Sequence, residues 1–229
     1  MFLQRRRKVN LYFVSNIIVC SCAFVGFIYG AVRFIRKNKA LYGQMITYAI
    51  LCVVIGRLYD IARLSTGAEI TGRFQLGTLA SIGSFLFFFS ANYGALDSIV
   101  DDGSKQFKKY RVFSLIAPVA VIVAYFPLFC FSDVSVLWKA QSGVVMFFAA
   151  LCSYYNLKHL IIPDVDFGVV KSLRPYNFLA LLFMVSCIAE CYSLSRGNEM
   201  LTLIIGCLTA AVSLVMLPMI SYGLKKSRM

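Results

Sequence analysis

An all-α integral membrane protein, built as a seven-helix transmembrane bundle, is predicted by three features of this sequence. Of its 229 residues, 60% are hydrophobic and only 14% charged, against about 45–50% apolar and 25% charged in a soluble domain. The apolar residues are gathered in runs long enough to cross a bilayer. The basic residues sit in short clusters between those runs.

The apolar runs place helices near 11–34, 42–64, 76–99, 112–131, 134–157, 177–195 and 200–223. Each can span about 30 Å of hydrocarbon at 1.5 Å per residue. Only helices suit such segments, because backbone groups in lipid must bond within their own segment. The first run is not followed by a small-residue cleavage site, so it reads as a retained helix. The fourth and fifth runs are joined by little more than Ser132 and Asp133 and should form a tight hairpin. The other loops are short. One transmembrane domain is therefore expected over residues 1–229.

A net charge of +13 raises the question of nucleic acid. The basic residues are not arrayed on a soluble amphipathic helix, however. They form the clusters Arg33, Arg36, Lys37, Lys39; Lys105, Lys108, Lys109, Arg111; and Lys225, Lys226, Arg228. Such clusters orient a membrane protein and meet the lipid bilayer at its anionic headgroups; no nucleic acid partner is expected. The loops after spans two, four and six carry few cations, chiefly Arg73, Lys139 and Arg196. The count places the C-terminus in the cytoplasm and, over seven spans, the N-terminus outside, in the plasma membrane. Arg5, Arg6, Arg7 and Lys8 argue the other way, and six spans with both ends inside is the alternative. The eight cysteines all fall in apolar runs, without a CxxC pair, and His159 is the one histidine. Zinc ligation has no support, and neither a cofactor nor a metal is expected.

The chain contains a candidate duplication. Span two carries Ile55, Arg57, Tyr59 and Arg63, and span six carries Ile188, Glu190, Tyr192 and Arg196 at the same spacing. Span three has Gly77, Leu79, Ser84 and Tyr93-Gly94; span seven has Gly206, Leu208, Ser213 and Tyr222-Gly223. Spans one and five agree more loosely, pairing Asn16 with Gln141, Tyr29 with Tyr154 and Arg33 with Lys158. Repeats at 11–99 and 134–223, joined by a linker helix at 112–131, would be parallel copies about an axis along the membrane normal, as in some transporters. In architecture alone this 3+1+3 plan resembles the SWEET sugar transporters, the PQ-loop carriers, the KDEL receptor and the microbial rhodopsins. No motif accompanies it. There is no Pro-Gln pair, Pro118 and Pro127 lie in the linker span and Pro218 in the last, and span seven holds no retinal-type lysine.

Ionisable residues inside a membrane are costly and therefore candidate site residues. Arg57 and Glu190 fall at matching depths in the two copies. A polar site between the copies would use Arg57 for an anionic group and Glu190 for a cationic group or a proton. Two plainer readings stand beside it: an ion pair that locks two helices, and Arg57 satisfied by Asp60 at i,i+3. Tyr59 and Tyr192 are paired by the repeat but suit a membrane interface in any case. Asn16 and Gln141 could line the same cavity or bond between helices. Gly26-x-x-x-Gly30 is a close-packing motif. Phe85 and Phe87 to Phe89 read as packing or lipid-facing bulk, and Asp97, Asp101 and Asp102 as a solvated charge cluster.

No GxSxG elbow, HExxH or Walker loop occurs, so no enzyme is expected. The leading expectation is a small-solute transporter or permease. A ligand-sensing or partner-binding membrane module, with its output supplied by a separate partner, is the alternative. A structural subunit without a ligand is the third.

Overall fold

A computed structural model describes residues 2–38, 40–66, 76–95, 97–163 and 169–226. Within these, it describes the backbone alone for residues 2–10, Leu76, Thr78, Ala95, Ser98, Ile99, 169–172 and 224–226. The orienting charges Arg5 to Lys8, Lys39, Arg73, Lys225, Lys226 and Arg228 lie outside the described residues or side chains.

The described chain is helical throughout. Its helices are α1 (Phe2–Gly30), α2 (Leu41–Ser65), α3 (Leu76–Ala95), α4 (Asp97–Val100), α5 (Lys108–Ser114), α6 (Ile116–Phe131), α7 (Val136–Ile161), α8 (Val169–Arg196) and α9 (Glu199–Lys226). Six stretches are long and apolar enough to cross a membrane: Leu11–Ile35, Leu41–Ser65, Lys105–Phe131, Val136–Ile161, Leu173–Arg196 and Glu199–Gly223. The chain is thus a polytopic helical membrane protein. α3 is a further long helix, packed between α2 and α7.

Several helices outrun the apolar runs of the sequence, because polar turns continue the backbone ladder past the hydrocarbon. The 112–131 run is not one rod. Pro118 has no N–H to offer Ser114, four residues earlier, and its ring crowds that carbonyl. The helix accordingly breaks at Leu115, between α5 and α6. The connections are built from local chemistry. Between α8 and α9, Gly197 takes φ 62°, and Asn198 N–H bonds the Ser193 carbonyl at 3.0 Å, a left-handed glycine stop. The Asn198 side chain then accepts from Leu201 N–H at 3.1 Å, opening α9. Ser135 caps α7 by accepting from Trp138 N–H.

The long helices close a ring in the order α1, α2, α3, α7, α8, α9 and back to α1, with α6 outside against α7 and α8. In its most apolar stretch the α5–α6 segment is only 17% buried, against 33–50% in the other candidate spans, so it presents most of its surface outward. The α1–α9 seam is tight. A Cβ on Gly26 would lie 2.8 Å from the Ser213 carbonyl oxygen, and one on Gly30 would lie 2.5 Å from Thr47 Oγ1 on α2. The Gly26-x-x-x-Gly30 pattern thus marks a close helix approach.

The helices alternate in direction, so the ring has two ends. One, where α1 begins, is called here the N-terminal end; the other, where α9 finishes, is the C-terminal end.

Candidate functional site

Arg57 lies about 12 Å inside the Ser65 end of α2 at 1.5 Å per residue. Its guanidinium reaches across the ring to α8 and donates twice to one carboxylate, Nη1 to Glu190 Oε1 and Nη2 to Glu190 Oε2, both at 2.5 Å. The Arg57 side chain is 13% exposed and that of Glu190 10%. This planar two-bond geometry is the strongest an arginine makes with a carboxylate. Arg57 Nη1 also donates to Asn16 Oδ1 at 3.1 Å, and Asn16 Nδ2 donates to the Tyr12 carbonyl at 2.9 Å. α1, α2 and α8 are thereby joined through one guanidinium.

The pair does not sit in a sealed interface. It lines a cavity toward the N-terminal end whose empty volume, counting its mouth, is about 750 Å³. Helices α1, α2, α3, α7 and α8 contribute its wall, with Tyr12, Asp60, Ser81, Trp138 and Ser142 among its polar members. About 80 Å³ of it is open to the centres of water molecules, room for several waters at about 10–15 Å³ each.

Toward the C-terminal end the cavity stops at an aromatic septum. Phe183 packs on Phe85 and Phe88, with ring centroids 6.0 and 5.7 Å apart. Tyr176 packs on Phe88 at 6.4 Å and on Tyr42, edge to face, at 5.1 Å. All five rings are at most 4% exposed. The hydroxyl of Tyr42 has no hydrogen-bond partner among the described residues.

Beyond the septum lies a second polar group. Lys158, only 3% exposed, pairs with Asp97 and, at 3.2 Å, with Asp101. His159 Nε2 lies 3.1 Å from Asp97 Oδ1, and its Nδ1 lies 3.3 Å from Asn92 Oδ1. Asn92 donates to Asn156 Oδ1 at 2.9 Å, and Arg111 pairs with Asp101 at 3.2 Å. Burial by itself would raise the Asp97 carboxyl, but the hydrogen bonds and charges of His159 and Lys158 outweigh it and hold the carboxyl below its ordinary range.

Of the residues singled out in the sequence, Arg57, Glu190 and Asp60 line the cavity, and Asn16 is bonded to Arg57. The other three do not line it. Tyr59 is half-buried beneath Arg63, whose Cζ stands 5.9 Å from the ring centroid. Tyr192 donates to the Ala124 carbonyl and ties α8 to α6. Gln141 is half-buried on α7, while its neighbour Ser142 lines the cavity. The solvated-cluster expectation is corrected for Asp97 and Asp101, which pair with Lys158; Asp102 alone of the three is exposed. Of the two readings offered for Phe85 and Phe88, packing bulk holds: both are fully buried against Phe183. Tyr12, Trp138 and Ser142 went unread as site residues, since single aromatic or hydroxyl residues in an apolar run carry no distinguishing pattern.

No protein-family model matches the chain, and neither a curated protein nor a solved structure is matched by it.

Proposed function

We propose that this protein is a small-solute transporter that crosses the plasma membrane seven times, counting α3, and works from the cavity around Arg57 and Glu190. The observation that carries this reading is the place of the ion pair. It spans the middle of the ring, in the wall of a cavity open at one end and shut by aromatic rings toward the other. A pair that only locked two helices would be expected in a closed interface. Two further features support it. Tyr42 buries a hydroxyl without a partner among the described residues in the closed septum, a cost that hydration would relieve if the septum opened. The order of contacts around the ring is also unchanged when α1–α3 and α7–α9 are exchanged: α1–α2 mirrors α7–α8, α2–α3 mirrors α8–α9, and α1–α9 mirrors α7–α3. This supports a 3+1+3 parallel repeat with α6 as linker.

The C-terminal end is taken as cytoplasmic. Arg33, Arg36, Lys37, Lys105, Lys108 and Lys109 gather there, the side that cations mark, where anionic headgroups lie. The reading assigns no catalysis to the site.

The test uses the native thiols of the wall. Cys187 and Cys191 line the cavity and are partly accessible. In variants keeping one of them as the sole cysteine, a membrane-impermeant thiol reagent is applied from each face. A transporter exposes the thiol to both faces in turn. Labelling from the N-terminal end only, under all conditions, favours the sensing module instead.

A further inference from the structure

The charge of the cavity wall points to the class of solute; this inference rests on the reading of the cavity as a solute site. Three formal charges line the wall: Arg57, Asp60 and Glu190. Together they sum to −1. They are not equivalent. Arg57 is committed to Glu190 through both of its terminal nitrogens, and one of these also serves Asn16. Those two charges cancel within the wall. Asp60 is left as the net charge. Among the described residues no ion pair joining it to a lysine or arginine is seen: Arg57, the cation of the wall, is already spoken for, and Arg63, one turn further along α2 and outside the wall, acts on its charge from there. Its carboxylate rests against bare backbone: a Cβ at Gly77 would fall 2.5 Å from Asp60 Oδ1. Glycine at this point of α3 is what gives the carboxylate its place in the wall.

We propose that the solute is a small organic monocation, an ammonium compound, with Asp60 as its counter-ion. A cavity wall of net charge −1 in surroundings of low dielectric selects one positive charge and disfavours an anion. The rings of Tyr12, Trp138 and Phe183 in the same wall suit an alkylammonium, which is held by aromatic faces as well as by a carboxylate. A bare metal ion is a poorer fit. No group of three or more acidic, cysteine or histidine side chains able to hold one exists among the described residues, and hard cations need six or more oxygens. A carboxylate solute would have to displace Glu190 from Arg57 and face Asp60 as well.

The protein carries its own reporter. It has a single tryptophan, Trp138, and that residue lines the cavity. The full chain in detergent micelles is titrated with tetramethylammonium chloride, methylammonium chloride, glycine and sodium acetate, with sodium chloride as the ionic-strength control. The expected result is a saturable change in Trp138 fluorescence with the two ammonium salts alone. Asp60→Asn should weaken that binding about thirtyfold or more, the consequence of removing one partner of a desolvated charge pair. Asp60→Glu should retain it. If Asp60→Asn does not fold, the comparison of probes on the unmodified chain decides. A response to the ammonium salts no different from sodium chloride overturns the inference. So does saturable binding of acetate or glycine alone, and in that case the cavity still binds a solute and the transport reading stands. Thiol access confined to one end strikes at the transport reading and leaves the choice of ligand charge intact.

Discussion

Removing either member of the Arg57–Glu190 pair should destabilise the bundle strongly, and removing both should cost much less than the sum. Both side chains are nearly buried and share two hydrogen bonds of 2.5 Å. Breaking such a pair by changing one partner costs about 3–5 kcal/mol, because a charge is left uncompensated in a poorly solvated place. The cavity divides that range. Glu190→Gln leaves Arg57 in the same wall as Asp60, so some compensation remains and a loss near the lower limit is expected. Arg57→Met leaves two carboxylates in one wall with no cation, and frees Asn16 as well, so a loss near the upper limit is expected. The double variant keeps only Asp60, and a coupling energy of about 2–3 kcal/mol should be recovered. With about 2–4 °C of Tm per kcal/mol for a chain of this size, the single changes should lower Tm by about 6–20 °C. The assay is thermal loss of helical circular dichroism in one detergent for all four proteins. Additivity within about 0.5 kcal/mol would mean that the two groups do not interact, and the account of the cavity would fall with it.

Two further changes probe the frame. Gly26→Ala places a Cβ 2.8 Å from the backbone oxygen of Ser213, which cannot swing aside; a loss of about 1–3 kcal/mol is expected, and an unchanged Tm would show the α1–α9 seam to be loose. Asp97→Asn should cost about 1–3 kcal/mol by leaving buried Lys158 to Asp101 alone. The Asp97 carboxyl is held below its ordinary range, so its contribution is present above the unfolded carboxylate value of about 3.9 and lost as pH falls through the lower folded value. The Tm difference between the two proteins should therefore be flat from about pH 5 to 8 and vanish only in stronger acid. A difference that disappears near neutrality would contradict the pairing.

Six of the seven expected spans were legible because hydropathy is a property of contiguous residues; the run at 76–99 is a long helix, α3, but is not among the six stretches long and apolar enough to cross a membrane. Arg57 and Glu190 were legible because a charge in an apolar run is conspicuous wherever its partner lies. Asp60, three residues on from Arg57, shares its face of α2, and Asn16 shares a face of α1 with Tyr12 in the same way. Tyr59 and Tyr192 each stand two residues beyond the charge they were grouped with, about 200° around the helix, and so turn away from the cavity. Gln141 misses by one residue, about 100°, and Ser142 takes the place instead. The Lys158 cluster was hidden for another reason. Its carboxylates come from α4 and the segment after it, far away in the chain, and in sequence they read as a loop beside basic residues. Only the α3–α7 contact brings them to a lysine.

The two seams between α1–α3 and α7–α9 differ in chemistry, and the difference bears on which of them can part. The α1–α9 seam is built on small residues, with Gly26 against the Ser213 backbone and Gly206 so close to α1 that a Cβ there would meet Ser15 Oγ. Its polar bonds, Ser15 Oγ to the Thr202 carbonyl and Arg33 Nε to Ser221 Oγ, lie toward its two ends; parting the glycine-lined middle would expose backbone and apolar surface with nothing to replace the lost contact. The α3–α7 seam has polar groups toward its C-terminal end: Asn92 on Asn156, His159 on Asn92, and Lys158 on the carboxylates that follow α3. Those groups can exchange protein partners for water at little net cost, and opening there would lead toward the septum. An alternating cavity in this ring would therefore pivot on the α1–α9 seam and open between α3 and α7. On that account Asp97→Asn does more than lower Tm. It weakens the closure of the C-terminal end, so labelling of Cys187 or Cys191 from that face should rise, whereas Gly26→Ala, which strains the pivot, should lower stability without that bias.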